Sequence, residues 1–91
     1  MNTDFPKRYS SFSLSDDFQL LCMLSNIGVI TPAKSLTIEE LSERTRLEIS
    51  VIQKLLSKLV QEGYVEVSTI EFTEKYYLTL NGIRKVLSTY S

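Results

Sequence analysis

Residues Leu36 to Gly63 read LTIEELSERTRLEISVIQKLLSKLVQEG, and this stretch decides the fold. Thr37 with Glu40 three residues on is a capping box, in which hydroxyl and carboxylate satisfy each other's backbone N–H groups and start a helix. Ile38 and Leu41 then face a core, and Glu39, Ser42 and Glu43 face water. Thr45-Arg46-Leu47-Glu48 reads as a tight turn anchored by Leu47. A second, longer helix follows from about Ile49 to Gln61 and stops at Gly63. At about 100° per residue, Ile52, Leu55, Leu56 and Leu59 share one face, with Ile49 and Val60 at its edge. Ser50, Gln53, Lys54, Ser57, Lys58 and Gln61 fall on the opposite side within about 140°, and Val51 borders that arc beside Lys58. A short helix, a turn and a longer helix with one apolar and one polar face make a helix-turn-helix.

Working towards the C-terminus, the period changes from 3.6 to 2 directly after Gly63. Tyr64 to Ser68 alternates with Val65 and Val67 inward, and Lys75 to Thr79 alternates with Tyr76 and Leu78 inward. Thr69 to Glu74 joins these strands without an Asn-Gly or Asp-Gly pair, so a longer loop is expected there. Thr79 caps a last helix over about 80–90, where Leu80, Ile83, Leu87 and Tyr90 form a stripe that Val86 widens. Gly82 in its first turn costs helix stability and allows close packing.

Towards the N-terminus, Leu14 to Ile27 reads as a helix capped by Ser15, with Asp16 and Asp17 in the favourable first turn and Gly28 at its end. Phe18, Leu21, Cys22 and Leu24 line much of one side, while Leu20, Met23 and Ile27 point elsewhere. A helix apolar nearly all round is buried nearly all round, which suggests a subunit interface. Pro32 punctuates the connection that follows, and Ser35-Leu36 is a candidate for a very short strand. Residues 1–13, with Lys7-Arg8-Tyr9, read as an irregular arm, leaving one domain over 14–91. The expected class is α+β, mostly α.

Composition narrows the function. The 91 residues suffice for one domain. There is no histidine and a single cysteine, so zinc sites, Ser-His-Asp triads and Cys-His pairs are excluded within one chain. Cys22 sits in an apolar helix and reads as a buried, inert thiol. Neither an enzyme, a cofactor, a metal nor a small-molecule substrate is expected. The longest purely apolar run, Leu20 to Leu24, falls far short of the roughly 20 residues that span a bilayer, and MNTDFPKRYSSF has no signal-peptide core. A cytoplasmic location follows as the expectation.

Ten basic and eleven acidic residues give a net charge of −1, which does not itself mark a nucleic-acid binder. Their distribution is more informative. From Arg44 to Gln61 the basic residues are Arg44, Arg46, Lys54 and Lys58, and Glu48 is the sole acid. The acids gather at Asp16, Asp17, Glu39, Glu40 and Glu43, and again along Glu62, Glu66, Glu71 and Glu74. An anionic partner is therefore favoured at the second helix of the pair.

Two segments carry a family resemblance. LSERTRLEISVIQKLLSKLVQEGYV resembles the helix-turn-helix of MarR-like and related bacterial and archaeal regulators, with Leu41 opening it and Leu59 four residues before Gly63 closing it. YYLTLNG, Tyr76 to Gly82, is similar to the Y-x-L-T-x-x-G that leads from the wing of such proteins into their final helix. The resemblance implies a winged helix over about 14–90, binding double-stranded DNA as a prokaryotic transcriptional regulator and homodimer. It implies base contacts from Val51 and Gln53, base or phosphate contacts from Ser50, Lys54 and Lys58, and backbone contacts from Arg44, Arg46 and Ser57. Lys75 is the one basic candidate in a wing that carries Glu71 and Glu74. Leu20, Met23 and Ile27 of the first helix and Ile83, Leu87 and Tyr90 of the last are the dimer-interface candidates. If all four basic side chains met phosphate, the log–log salt slope of a dimer would be about −7. A polar face of Ser, Gln and Lys is also what plain solvation produces, and winged helices also serve as protein-interaction modules, a use that the acidic wing fits.

Overall fold

A computed structural model describes residues 15–89. Helix α1 (Asp16–Asn26) is followed by a 3-10 turn (Pro32–Lys34), α2 (Ile38–Thr45), α3 (Ile49–Gln61), strands β1 (Val65–Ile70) and β2 (Thr73–Leu78), and α4 (Leu80–Thr89). This is the helix-turn-helix, hairpin and final helix of a winged helix.

Each boundary has a local cause. The capping box forms as read: the Glu40 N–H donates to Thr37 Oγ1 at 3.1 Å, and the Thr37 N–H donates to Glu40 Oε1 at 2.9 Å. α1 and α3 both end in Schellman motifs. Gly28 donates to the Ser25 carbonyl and Val29 to Leu24; Gly63 donates to Val60 and Tyr64 to Leu59. Both glycines are left-handed, at φ 80° and 83°, a conformation that glycine adopts without a Cβ penalty. Ser15 occupies the N-cap of α1, yet its hydroxyl makes no capping hydrogen bond. It bonds the Asp17 carboxylate instead.

Leu20, Leu21 and Leu24 of α1 close over Leu41, Ile52, Leu56 and Leu59 of the helix-turn-helix, with Val65, Tyr76, Leu78 and Val86 sealing the far side. Burial of one such leucine side chain contributes about 1.5–3 kcal/mol. Val65 and Leu78 are cross-strand partners, as are Val67 and Tyr76, so the inward alternation of both strands is as read. Leu36 adds a third rung: its N–H donates to the Tyr76 carbonyl at 3.1 Å, and the Tyr76 N–H donates back at 2.7 Å.

Two expectations are corrected. Leu20 was assigned to a surface pointing away from the core, but it is fully buried within its own chain and offers nothing to a second copy. An all-apolar helix gives periodicity no polar face from which to orient it. The hairpin loop is also shorter than expected. The strands run on to the Ile70–Thr73 pair, and Glu71-Phe72 alone turn the chain. Both have positive φ, 51° and 68°, as a type I′ turn requires.

Candidate nucleic-acid interface

The turn between α2 and α3 aims α3, and three hydrogen bonds from two side chains lock it. Ser42 Oγ donates to the Leu47 carbonyl at 2.6 Å. Thr45 Oγ1 donates to the Leu41 carbonyl at 2.8 Å and accepts from the Leu47 N–H at 3.3 Å. Arg46 takes the left-handed conformation at φ 65° while its N–H caps α2 on the Ser42 carbonyl. Leu47 packs against the core beneath this network.

With Ile52, Leu56 and Leu59 fully buried, the remaining faces of α3 are oriented without freedom. Ser50, Val51, Gln53, Lys54, Ser57 and Lys58 are all exposed, as are Arg44 and Arg46 from the end of α2 and the turn. All eight candidates are therefore accessible to a partner. Glu48 stands at the N-cap of α3 without a side-chain cap bond, so no side chain of its own covers the first-turn N–H groups.

Lys58 differs from its neighbours. Its Nζ lies 3.2 Å from Asp17 Oδ2, across the α1–α3 contact. The Asp17 side chain is only 12% exposed, against 56% for Lys58. The Ser15 hydroxyl bond and then the Lys58 ammonium hold the Asp17 carboxyl below its ordinary value, against the opposing effect of burial. Nothing in the spacing of α3 signals this partner, which comes from a distant helix.

Lys75 is not a wing-tip base. It sits half-buried within β2, opposite Ser68, and its charge acts on Glu40 of α2. The apex is Glu71 and a fully exposed Phe72, with Ile70 half-exposed beside it. Nearer the sheet, Tyr77 donates to the Glu66 carboxylate at 3.0 Å, and that bond raises the Tyr77 pKa above its ordinary value.

Of the dimer candidates other than Leu20, Met23, Ile27 and Ile83 are half-buried, Leu87 is 60% exposed, and Tyr90 lies outside the described residues. Leu80, the first residue of the expected stripe, is 61% exposed on the same side of α4 as Ile83 and Leu87. Cys22 is half-buried against the core. Among the described residues no acidic, cysteine or histidine cluster could hold a metal ion, and no helix is long and apolar enough to cross a membrane.

No family model and no curated protein matches the chain in sequence. Solved structures do match in fold. The DNA-binding TubR fragment from Clostridium botulinum superposes with a TM-score of 0.73 at 26% identity, over 85% of this chain and 96% of that one. A MarR family transcriptional regulator from Silicibacter pomeroyi gives 0.70 at 24% identity over 97% of this chain, and reduced MarR from E. coli gives 0.67 at 19% over 92%. This chain spans 57% and 60% of those two longer chains. The fold is therefore a winged helix of the MarR-like kind.

Proposed function

We propose that this chain is a small DNA-binding transcriptional regulator that works as a homodimer, each subunit presenting α3 to a major groove. The observation that carries the reading is the outward face of α3: Ser50, Gln53, Lys54 and Ser57 all stand in solvent on a helix whose other face is fully buried and whose entry turn is locked. Such a face is rigid, polar and locally basic, which suits a groove lined by phosphates. The likeness to a DNA-binding fragment and to MarR-type regulators supports the same reading.

In this arrangement Gln53 reads a base edge, Lys54 meets guanine or phosphate, and Arg44, Arg46 and Ser57 hold the backbone. Lys75, half-buried within β2, is left out of this set. The exposed edge of α4 formed by Leu80, Ile83 and Leu87 is the surface a second copy covers. Two α3 helices would then enter successive major grooves roughly 34 Å apart. With Lys58 committed to Asp17, three basic side chains per subunit remain for phosphate, and the salt slope of the dimer is about −5. No enzymatic activity, cofactor or small-molecule substrate belongs to this reading.

Protection of inverted repeats beside the gene by the purified protein tests the reading. Sedimentation equilibrium showing only monomer at micromolar concentration would remove the dimer. A second reading, a protein-interaction module, has one observation in its favour: Phe72 is wholly exposed at the wing tip between Glu71 and Glu74. Charge reversal separates the two. Lys54→Glu with Lys58→Glu abolishes DNA binding on the first reading and leaves a wing-docked partner bound on the second.

A further inference from the structure

We propose that Asp17 is a specificity-determining residue, which withholds Lys58 from the DNA backbone and so keeps non-specific binding low. The inference rests on the DNA-binding reading above and adds a residue of α1, outside the helix-turn-helix, to the interface.

Geometry makes the case. Lys54 and Lys58 lie one turn apart on α3 and both are exposed, so either ammonium could follow a phosphate backbone. Of these two lysines, Lys58 has a carboxylate within ion-pair distance, at 3.2 Å, and Lys54 has none among the described residues. That carboxylate is nearly buried, fixed in the first turn of α1, while the lysine is more than half exposed. Attraction between charges is screened less where one of them is out of water, so the pair holds better than an ordinary surface bridge. A phosphate must displace Asp17 to recruit Lys58, whereas Lys54 is open to it.

Asp17 is also pre-organised for this role. Its carboxylate accepts from the Ser15 hydroxyl, and that bond, then the lysine, holds its pKa below the ordinary value. The consequence for recognition is a bias. Every phosphate contact raises affinity for all sequences equally, whereas Ser50 and Gln53 discriminate between bases. Taking one lysine per subunit out of the first group leaves proportionately more of the binding to the second.

Fluorescence anisotropy on a random-sequence duplex, across a salt series, tests this. Asp17→Asn releases one lysine per subunit, so the slope steepens by about 1.8 for the dimer, from about −5 to about −7. The variant then gains about eightfold per subunit over the wild type for each tenfold drop in salt. Lys58→Ala, which removes an exposed side chain, keeps the wild-type slope. The double variant returns to the wild-type slope as well, because the gain needs Lys58 and not merely the loss of a negative charge.

An Asp17→Asn slope equal to that of the wild type overturns the proposal. So does a gain that survives Lys58→Ala, or a flattened slope in Lys58→Ala alone. Failure of wild type and Asp17→Asn alike to bind duplex at low salt would remove the DNA-binding reading together with this one. Binding by the wild type with no response to Asp17→Asn would remove this one only.

Discussion

Replacement of Gly82 by alanine tests whether the wing, the end of α3 and α4 are joined as described. A Cβ built on Gly82 collides with the Tyr64 carbonyl oxygen and touches the Leu78 side chain. That carbonyl accepts the Thr79 N–H at 3.0 Å. The Thr79 hydroxyl in turn accepts from the Gly82 N–H at 3.0 Å and donates to the Gly63 carbonyl at 2.6 Å. One residue thus caps α4 and ties it to the C-terminal end of α3.

Two opposing effects decide the sign of the substitution. Alanine gains about 1 kcal/mol over glycine in a helix interior, and less in a first turn. Against this, forcing a methyl into a filled space costs about 1–3 kcal/mol, and loss of the Thr79–Tyr64 hydrogen bond costs about 1 kcal/mol more. Backbone, unlike the far end of a side chain, cannot swing aside. The net effect is a destabilisation of about 1–3 kcal/mol, or a fall in Tm of roughly 4–8 °C for each kcal/mol in a domain of this size. Urea and thermal unfolding followed by far-UV circular dichroism measure it. Asn81→Ala, next door and exposed, stays within about 0.5 kcal/mol and serves as control. A Gly82→Ala protein as stable as the wild type, or more so, would refute the close approach of α4 to Tyr64.

Other consequences follow from strained and titrating residues. Arg46→Gly relieves a left-handed residue, so the unfolding free energy from urea titration is unchanged or rises by up to about 1 kcal/mol while DNA affinity falls with the lost charge. Replacing Glu71-Phe72 by Asn-Gly supplies residues suited to a type I′ turn, which raises Tm by several degrees and leaves DNA affinity intact; a lower Tm would contradict the turn assignment. The Asp17 carboxyl is held below its ordinary value chiefly by the Ser15 bond, and the Glu40 carboxyl chiefly by the Thr37 N–H. A depressed folded-state pKa contributes stability above the unfolded pKa and loses it as pH falls through the folded one. Stability therefore declines below about pH 4, and urea midpoints between pH 3 and 7 for wild type and Glu40→Gln, which no longer titrates there, read the Glu40 share as a shallower decline in the variant.

What could be read from residue order alone divides along physical lines. The Leu36–Gly63 unit was legible because capping box, apolar period and terminating glycine all act over a few residues, and each agrees with the others. The inward strand positions were legible for the same reason. Leu20 was not, since a helix with apolar residues on every side carries no contrast. The two-residue turn was not legible either: Glu and Phe have no preference for positive φ, and strand pairing out to Ile70–Thr73 imposes it on them. The exposed face of α3 followed from periodicity, but the difference between Lys54 and Lys58 did not. That difference depends on Asp17, brought beside α3 only by the folding of α1. The half-burial of Lys75 within β2 was not legible for a similar reason, because its surroundings are set by how the wing packs.

The central claim is that the outward face of α3 binds duplex DNA, and the salt dependence of binding by wild type and Lys54→Ala tests it most directly. The account predicts tight binding at low salt, a log–log slope of about −5, and a slope shallower by about 1.8 in a Lys54→Ala dimer whose Tm is unchanged. Binding undetectable at low salt, or a slope that ignores Lys54, would contradict it.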